Sequence, residues 1–165
     1  MLRALLAEAP RLLSPEAAAM ASVSAALDGD GGDWRGEAVA LLALGWHEQV
    51  IAAAAVALGG GDDAAWTALW HAVDGSSWVA PQLVATAAVA DGAFEARAAA
   101  RLTDVARRSP KTIGALVRAY HLCPLRRMPV VAELGRHDRT MAPEEARIGV
   151  RGVDGWLAYF SSRSS

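Results

Sequence analysis

Residues 45–61, GWHEQVIAAAAVALGGG, decide how the chain is read. Trp46, His47 and Glu48 stand before an uncharged apolar run, Val50–Leu58, which stops on Gly59-Gly60-Gly61. Alanine has the highest intrinsic helix propensity, and glycine is the usual residue just past a helix end, so a helix over about 46–58 is expected. A helix lying on a protein surface needs a charged face. This one has none, so it should be covered on most sides. It is also far shorter than the ~20 apolar residues that span a bilayer.

The same pattern recurs. GWHEQVIAAAAVAL lies over SWVAPQLVATAAVA and over SPKTIGALVRAYHL, with second residues Trp46, Trp78 and Pro110, 32 residues apart each time. A slip of one residue brings Gln49-Val50-Ile51-Ala52 onto Gln82-Leu83-Val84-Ala85. Each copy follows another expected helix, at 34–44, 64–73 and 94–107, with the last running on to Arg108. Asp33, Asp62 or Asp63, Ser77 and Ser109 are the expected N-caps, and Gly45, Asp74-Gly75 and Asp91-Gly92 the expected stops. Upstream, Ser14-Pro15-Glu16 should open a helix over 15–27 that ends at Asp28-Gly29. No period-two alternation persists, so no strand is expected. Helical hairpins that repeat at a fixed spacing imply a stack with distinct terminal caps. The expected organisation is one domain over 1–165: an N-terminal helical cap (1–33), hairpins (34–122), then a C-terminal cap and tail (123–165). In the last part, Val153, Trp156, Leu157 and Phe160 form one apolar stripe, and residues 161–165 are an expected frayed tail.

These Trp- and Ala-rich hairpins resemble a short HEAT-like repeat array, an all-α superhelix, over roughly residues 34–122. Small bacterial proteins of this kind are similar to immunity proteins of toxin systems. The resemblance implies a non-catalytic module that binds a protein partner, a cognate toxin or effector domain, and occludes its active site. The rival likeness is to DNA-binding HEAT-like glycosylases, which would use a basic surface to hold nucleic acid.

Charge bears on that choice. The 165 residues are 53% hydrophobic and 21% charged, which excludes a disordered chain, and the net charge is −2. Residues 1–91 hold three Arg against eleven acids, a balance of −8, whereas residues 92–165 hold thirteen basic residues against seven acids, a balance of +6. Acidic loops bearing Asp62, Asp63, Asp74 and Asp91, and a basic region bearing Arg97, Arg101, Arg108 and Arg118, are therefore the candidate partner-binding residues. Arg107, Lys111, Arg126 and Arg127 lie near the latter. The acidic first half would repel a duplex lying along the whole array, so nucleic acid is not expected as the partner.

Chemistry-bearing motifs fail one by one. His47-Glu48 would need a second His at position 51 to hold zinc, and that position is Ile51. His71, His121 and His137 are not at ligand spacing with it. Asp28–Asp33 begins like a calcium loop but has Gly32 and Val39 where acidic ligands are required. His121 and Cys123 are two apart, so they do not share a helix face as nucleophile and base. Lys111 is the only lysine and follows no phosphate-binding glycine loop. No catalytic residue, metal or cofactor is expected. Trp66 and Trp70, four apart, should be core. The single Cys and the absence of a secretory pattern fit a cytoplasmic protein that does not enter a membrane.

Overall fold

A computed structural model of the chain describes residues 1–29, 32–75, 77–104, 107–122 and 143–162, and among these the regular structure is entirely helical. Cys123, Arg126, Arg127, His137 and the end of the tail lie outside the described residues. A 3₁₀ helix, Leu2–Glu8, leads into α1 (Ala9–Leu12) and α2 (Ala17–Asp28). Three helix pairs follow: α3 (Trp34–Leu42) with α4 (Trp46–Gly59), α5 (Asp63–Asp74) with α6 (Ala80–Ala90), and α7 (Phe94–Leu102) with α8 (Pro110–Leu122). The last element is α9 (Pro143–Ser161).

The second helices of the pairs form the middle of the molecule. α6 packs between α4 and α8, while α3 packs on both α4 and α5. α5 meets α7 through a Trp70–Phe94 stack with ring centroids 6.1 Å apart. The remaining sides of the middle layer are covered by the chain termini. The 3₁₀ helix, α1 and α2 pack on α4, and α9 packs on α8 and α6. The all-round apolar character of the opening stretch now has its cause. Every residue from Val50 to Val56 is fully buried, and so is the matching run Leu83–Ala87 of α6. Alanine admits neighbours on all sides at short interaxial distance.

Polar groups caught in this layer are satisfied locally. Gln82 Nε2 donates to the Leu13 carbonyl (3.1 Å), Thr86 Oγ1 to the Ala53 carbonyl (3.3 Å), and Trp156 Nε1 to the Leu12 carbonyl (2.9 Å). No buried side-chain nitrogen or oxygen among the described residues lacks a partner. Two glycines let α8 and α9 approach closely. A β-carbon on Gly149 would collide with the Lys111 carbonyl, and one on Gly114 would lie 2.5 Å from the Ala146 oxygen, so α8 and α9 approach through two bare backbones. Gly60, at φ 76°, turns the chain between α4 and α5 in the left-handed region.

Several boundaries differ from expectation, each for a local reason. α2 begins at Ala17, with Glu16 at the N-cap, because Ser14 and Pro15 are used in a turn in which Glu16 N–H donates to the Arg11 carbonyl. α6 begins at Ala80 because Ala80 N–H donates to the Ser77 carbonyl, so Trp78 and Val79 form a turn and Pro81 takes an opening helical position. α7 ends at Leu102 rather than Arg108: Thr103 Oγ1 donates to the Ala100 carbonyl and the helix stops there. Asp33 and Asp62 cap as expected, accepting the Gly36 and Ala65 amides at 2.9 Å each. No helix among the described residues is long and apolar enough to cross a membrane.

Candidate functional site

The charged residues singled out from sequence do not form two opposed surfaces. Stacking places α7 beside α5, which brings basic side chains from the second half of the chain onto acids of the first. Arg101 makes a two-pronged pair with Asp74 (Nε–Oδ1 2.9 Å, Nη2–Oδ2 2.8 Å), and Arg108 Nη1 lies 3.0 Å from the same carboxylate. Arg97 Nη1 donates to Asp91 Oδ2 at 3.1 Å. Arg118 pairs with Asp154 at 2.7 Å.

Asp91 departs furthest from a partner-facing loop acid. Its side chain is 2% exposed and accepts three hydrogen bonds, from Trp70 Nε1 (2.8 Å), Ala93 N–H (2.9 Å) and Arg97. Arg101 also lies 4.3 Å above the Trp70 ring. Asp74, Asp91, Arg97, Arg101 and Arg108 are thus a clamp around Trp70 that ties α5 to α7. Their charges are largely spent on one another. Asp62 and Asp63 remain exposed at the Gly59–Gly61 turn, Asp62 as a cap and Asp63 without a side-chain partner among the described residues. Trp66 and Trp70 are both buried.

A different set of side chains reaches the surface together. α4, α6 and α8 begin on the same edge, so positions 46, 78 and 110–111, aligned by the 32-residue spacing, lie side by side. Trp78 is 64% exposed, the most exposed of the large apolar side chains among the described residues. Its ring centroid is 5.7 Å from that of Trp46, which stacks at 3.5 Å on the exposed His47. On its other side, Lys111 Nζ donates to the Trp78 carbonyl (2.6 Å) and lies 5.2 Å from the indole centroid, within cation–π range. Beneath this edge Ser77 Oγ bonds Gln49 Oε1, and Gln49 Nε2 donates to the Leu42 and Leu44 carbonyls at 3.1 Å each, locking the α4 and α6 starts together.

Trp78, Ser109, Lys111, Glu145 and Ile148 line an open pocket of about 350 Å³. Burial pushes the Lys111 ammonium below its ordinary value, with Glu145 pulling the other way. Ser109 is occupied as the α8 cap: its Oγ accepts the Thr112 amide at 3.2 Å. Among the described residues no group of three His, Cys, Asp or Glu side chains is placed to hold a metal ion.

The 32-residue spacing aligns Trp46, Trp78 and Pro110, but the exposure of Trp78 does not follow from that spacing. The signal was present. Pro81 belongs at the first turn of a helix, which leaves Trp78 outside it, on a turn. The chain matches no protein-family model, and no curated protein and no solved structure matches it.

Proposed function

We propose that this chain is a non-catalytic protein-binding module on a short HEAT-like superhelix, most concretely a cytoplasmic immunity or inhibitor protein that occludes the active site of a cognate bacterial toxin. The single observation that carries the binding role is the Trp46–Trp78 edge. Burying a large apolar side chain is worth roughly 1.5–3 kcal/mol, and tryptophan is enriched at interface hot spots. A Trp left 64% exposed beside a second Trp forgoes that gain in the isolated chain. Trp46 and Trp78 occupy the same position of successive hairpins, and Lys111 follows the third such position, Pro110. Repeat scaffolds present continuous binding surfaces in this way.

The binding residues move accordingly. Trp78, Trp46, His47 and Lys111 replace Asp91, Asp74, Arg97, Arg101, Arg108 and Arg118 as the contacts, while Asp62 and Asp63 keep a role in steering a basic partner. The pairing of Arg97, Arg101 and Arg108 with Asp91 and Asp74 leaves these three less available to phosphate, since phosphate binding needs cations that are free to release counterions. The test is co-purification with the toxin candidate encoded by the adjacent gene, using the wild type and Trp78→Ala. A stable complex lost in the variant supports the reading. Failure to form one, together with salt-sensitive duplex binding in a gel shift, overturns it.

A further inference from the structure

The pocket beside Trp78 combines features that a simple hot spot does not need. One wall is apolar and aromatic, from Trp78 and Ile148, and Ile148 is itself 46% exposed. The other carries the only lysine of the chain, half-buried, with one of its three N–H groups given to the Trp78 carbonyl. No carboxylate among the described residues reaches ion-pair distance of Lys111. Glu145 lines the pocket and influences the ammonium only through space. A partly desolvated cation without an ion-pair partner among the described residues, next to an exposed indole, is matched by a group that brings both elements at once. The volume of about 350 Å³ lies in the range of small-ligand sites.

We propose that the pocket lined by Trp78, Lys111, Ile148 and Glu145 binds a carboxylate carried on an aromatic or large apolar group. The carboxylate accepts from the two Lys111 N–H groups that have no partner among the described residues, and the apolar body lies against Trp78 and Ile148. The same chemistry is offered by a free small acid and by an acidic residue next to an aromatic one in a partner protein. The inference stands on the pocket alone, so it survives or fails independently of any toxin partner.

The experiment follows the Trp78 indole N–H in proton–nitrogen correlation spectra of the whole chain, assigned by its loss in Trp78→Phe. The probes are 3-phenylpropionate, the uncharged 3-phenylpropan-1-ol, propionate, and a capped Phe-Glu dipeptide. A saturable shift with 3-phenylpropionate is expected, with the alcohol about tenfold weaker or more, the size of a charge-assisted hydrogen bond, and propionate weaker through the apolar contact that it lacks. Lys111→Met should erase the preference for acid over alcohol, and Glu145→Gln should tighten the acid but not the alcohol. Helical circular dichroism checks that both variants fold. Tighter binding of the capped dipeptide than of the free acid assigns the ligand to a protein segment, and the reverse order to a free acid. Equal binding of acid and alcohol, survival of the preference in Lys111→Met, or no saturable shift with any probe overturns the inference.

Discussion

Replacing Asp91 by alanine should damage the fold rather than a binding surface. The carboxylate is 2% exposed and holds three donors: Trp70 Nε1 at 2.8 Å, Ala93 N–H at 2.9 Å and Arg97 Nη1 at 3.1 Å. Trp70 is 3% exposed, so its indole N–H has no water to turn to, and an unsatisfied buried donor costs about 1–3 kcal/mol. The Ala93 amide, just ahead of α7, loses its hydrogen bond to the Asp91 side chain, worth about 1 kcal/mol. Arg97 is 32% exposed and can return to solvent, so it adds little. The sum is about 2–4 kcal/mol, or a fall in Tm of roughly 5–15 °C for a chain of this size. Urea unfolding of wild type, Asp91→Ala, Trp70→Phe and the double variant measures it. The two single changes share one hydrogen bond, so the double variant should be less destabilised than their sum. A loss below about 0.5 kcal/mol for Asp91→Ala would place its carboxylate among ordinary surface charges, because surface substitutions fall in that range, and would overturn its role in the clamp.

Gly149→Ala forces the α8 and α9 backbones apart at Lys111 and should cost about 1–3 kcal/mol in the same urea assay. Glu37 receives the Leu2 amide at 2.8 Å and the Arg3 amide at 3.0 Å; burial works against its charge, yet these bonds and the Met1 ammonium hold its carboxyl below the ordinary 4.5. Its contribution is therefore fully present above pH 4.5 and is lost as pH falls through the lower folded value, so the stability gap between wild type and Glu37→Gln should shrink on acidification in a pH series of urea unfolding curves. Trp78→Ala should leave Tm within about 2 °C of wild type, since an exposed side chain contributes little to the core.

The all-helical architecture was legible because its signals are local. The alanine run without a charged face implied cover on most sides, and Val50–Val56 are fully buried. Asp33 and Asp62 could be recognised as caps from the residues that follow them. The 32-residue spacing placed Trp46 and Trp78 at equivalent positions, and they do lie together. The candidate site was not legible in the same way. Residue type and loop position alone make Asp91, Asp74 and the arginines look like surface charges. Whether a charge faces solvent depends on which helix lies next to it, and Arg101 meets Asp74 across 27 residues of sequence. Lys111 carried no motif, and only its neighbours make it distinctive. The exposure of Trp78 follows from a turn that Pro81 and Ser77 impose, a two-residue shift of a helix start that periodicity alone does not resolve.

The most direct measurement is the dissociation constant of the chain for the adjacent-gene toxin candidate, determined by calorimetry for wild type, Trp78→Ala and the Asp62→Asn/Asp63→Asn double variant. Trp78→Ala should weaken binding about thirtyfold or more, the loss expected at a hot spot of about 2 kcal/mol, while the double variant stays within about threefold. The reverse ranking, with Trp78→Ala binding as wild type, would contradict the binding role of Trp78.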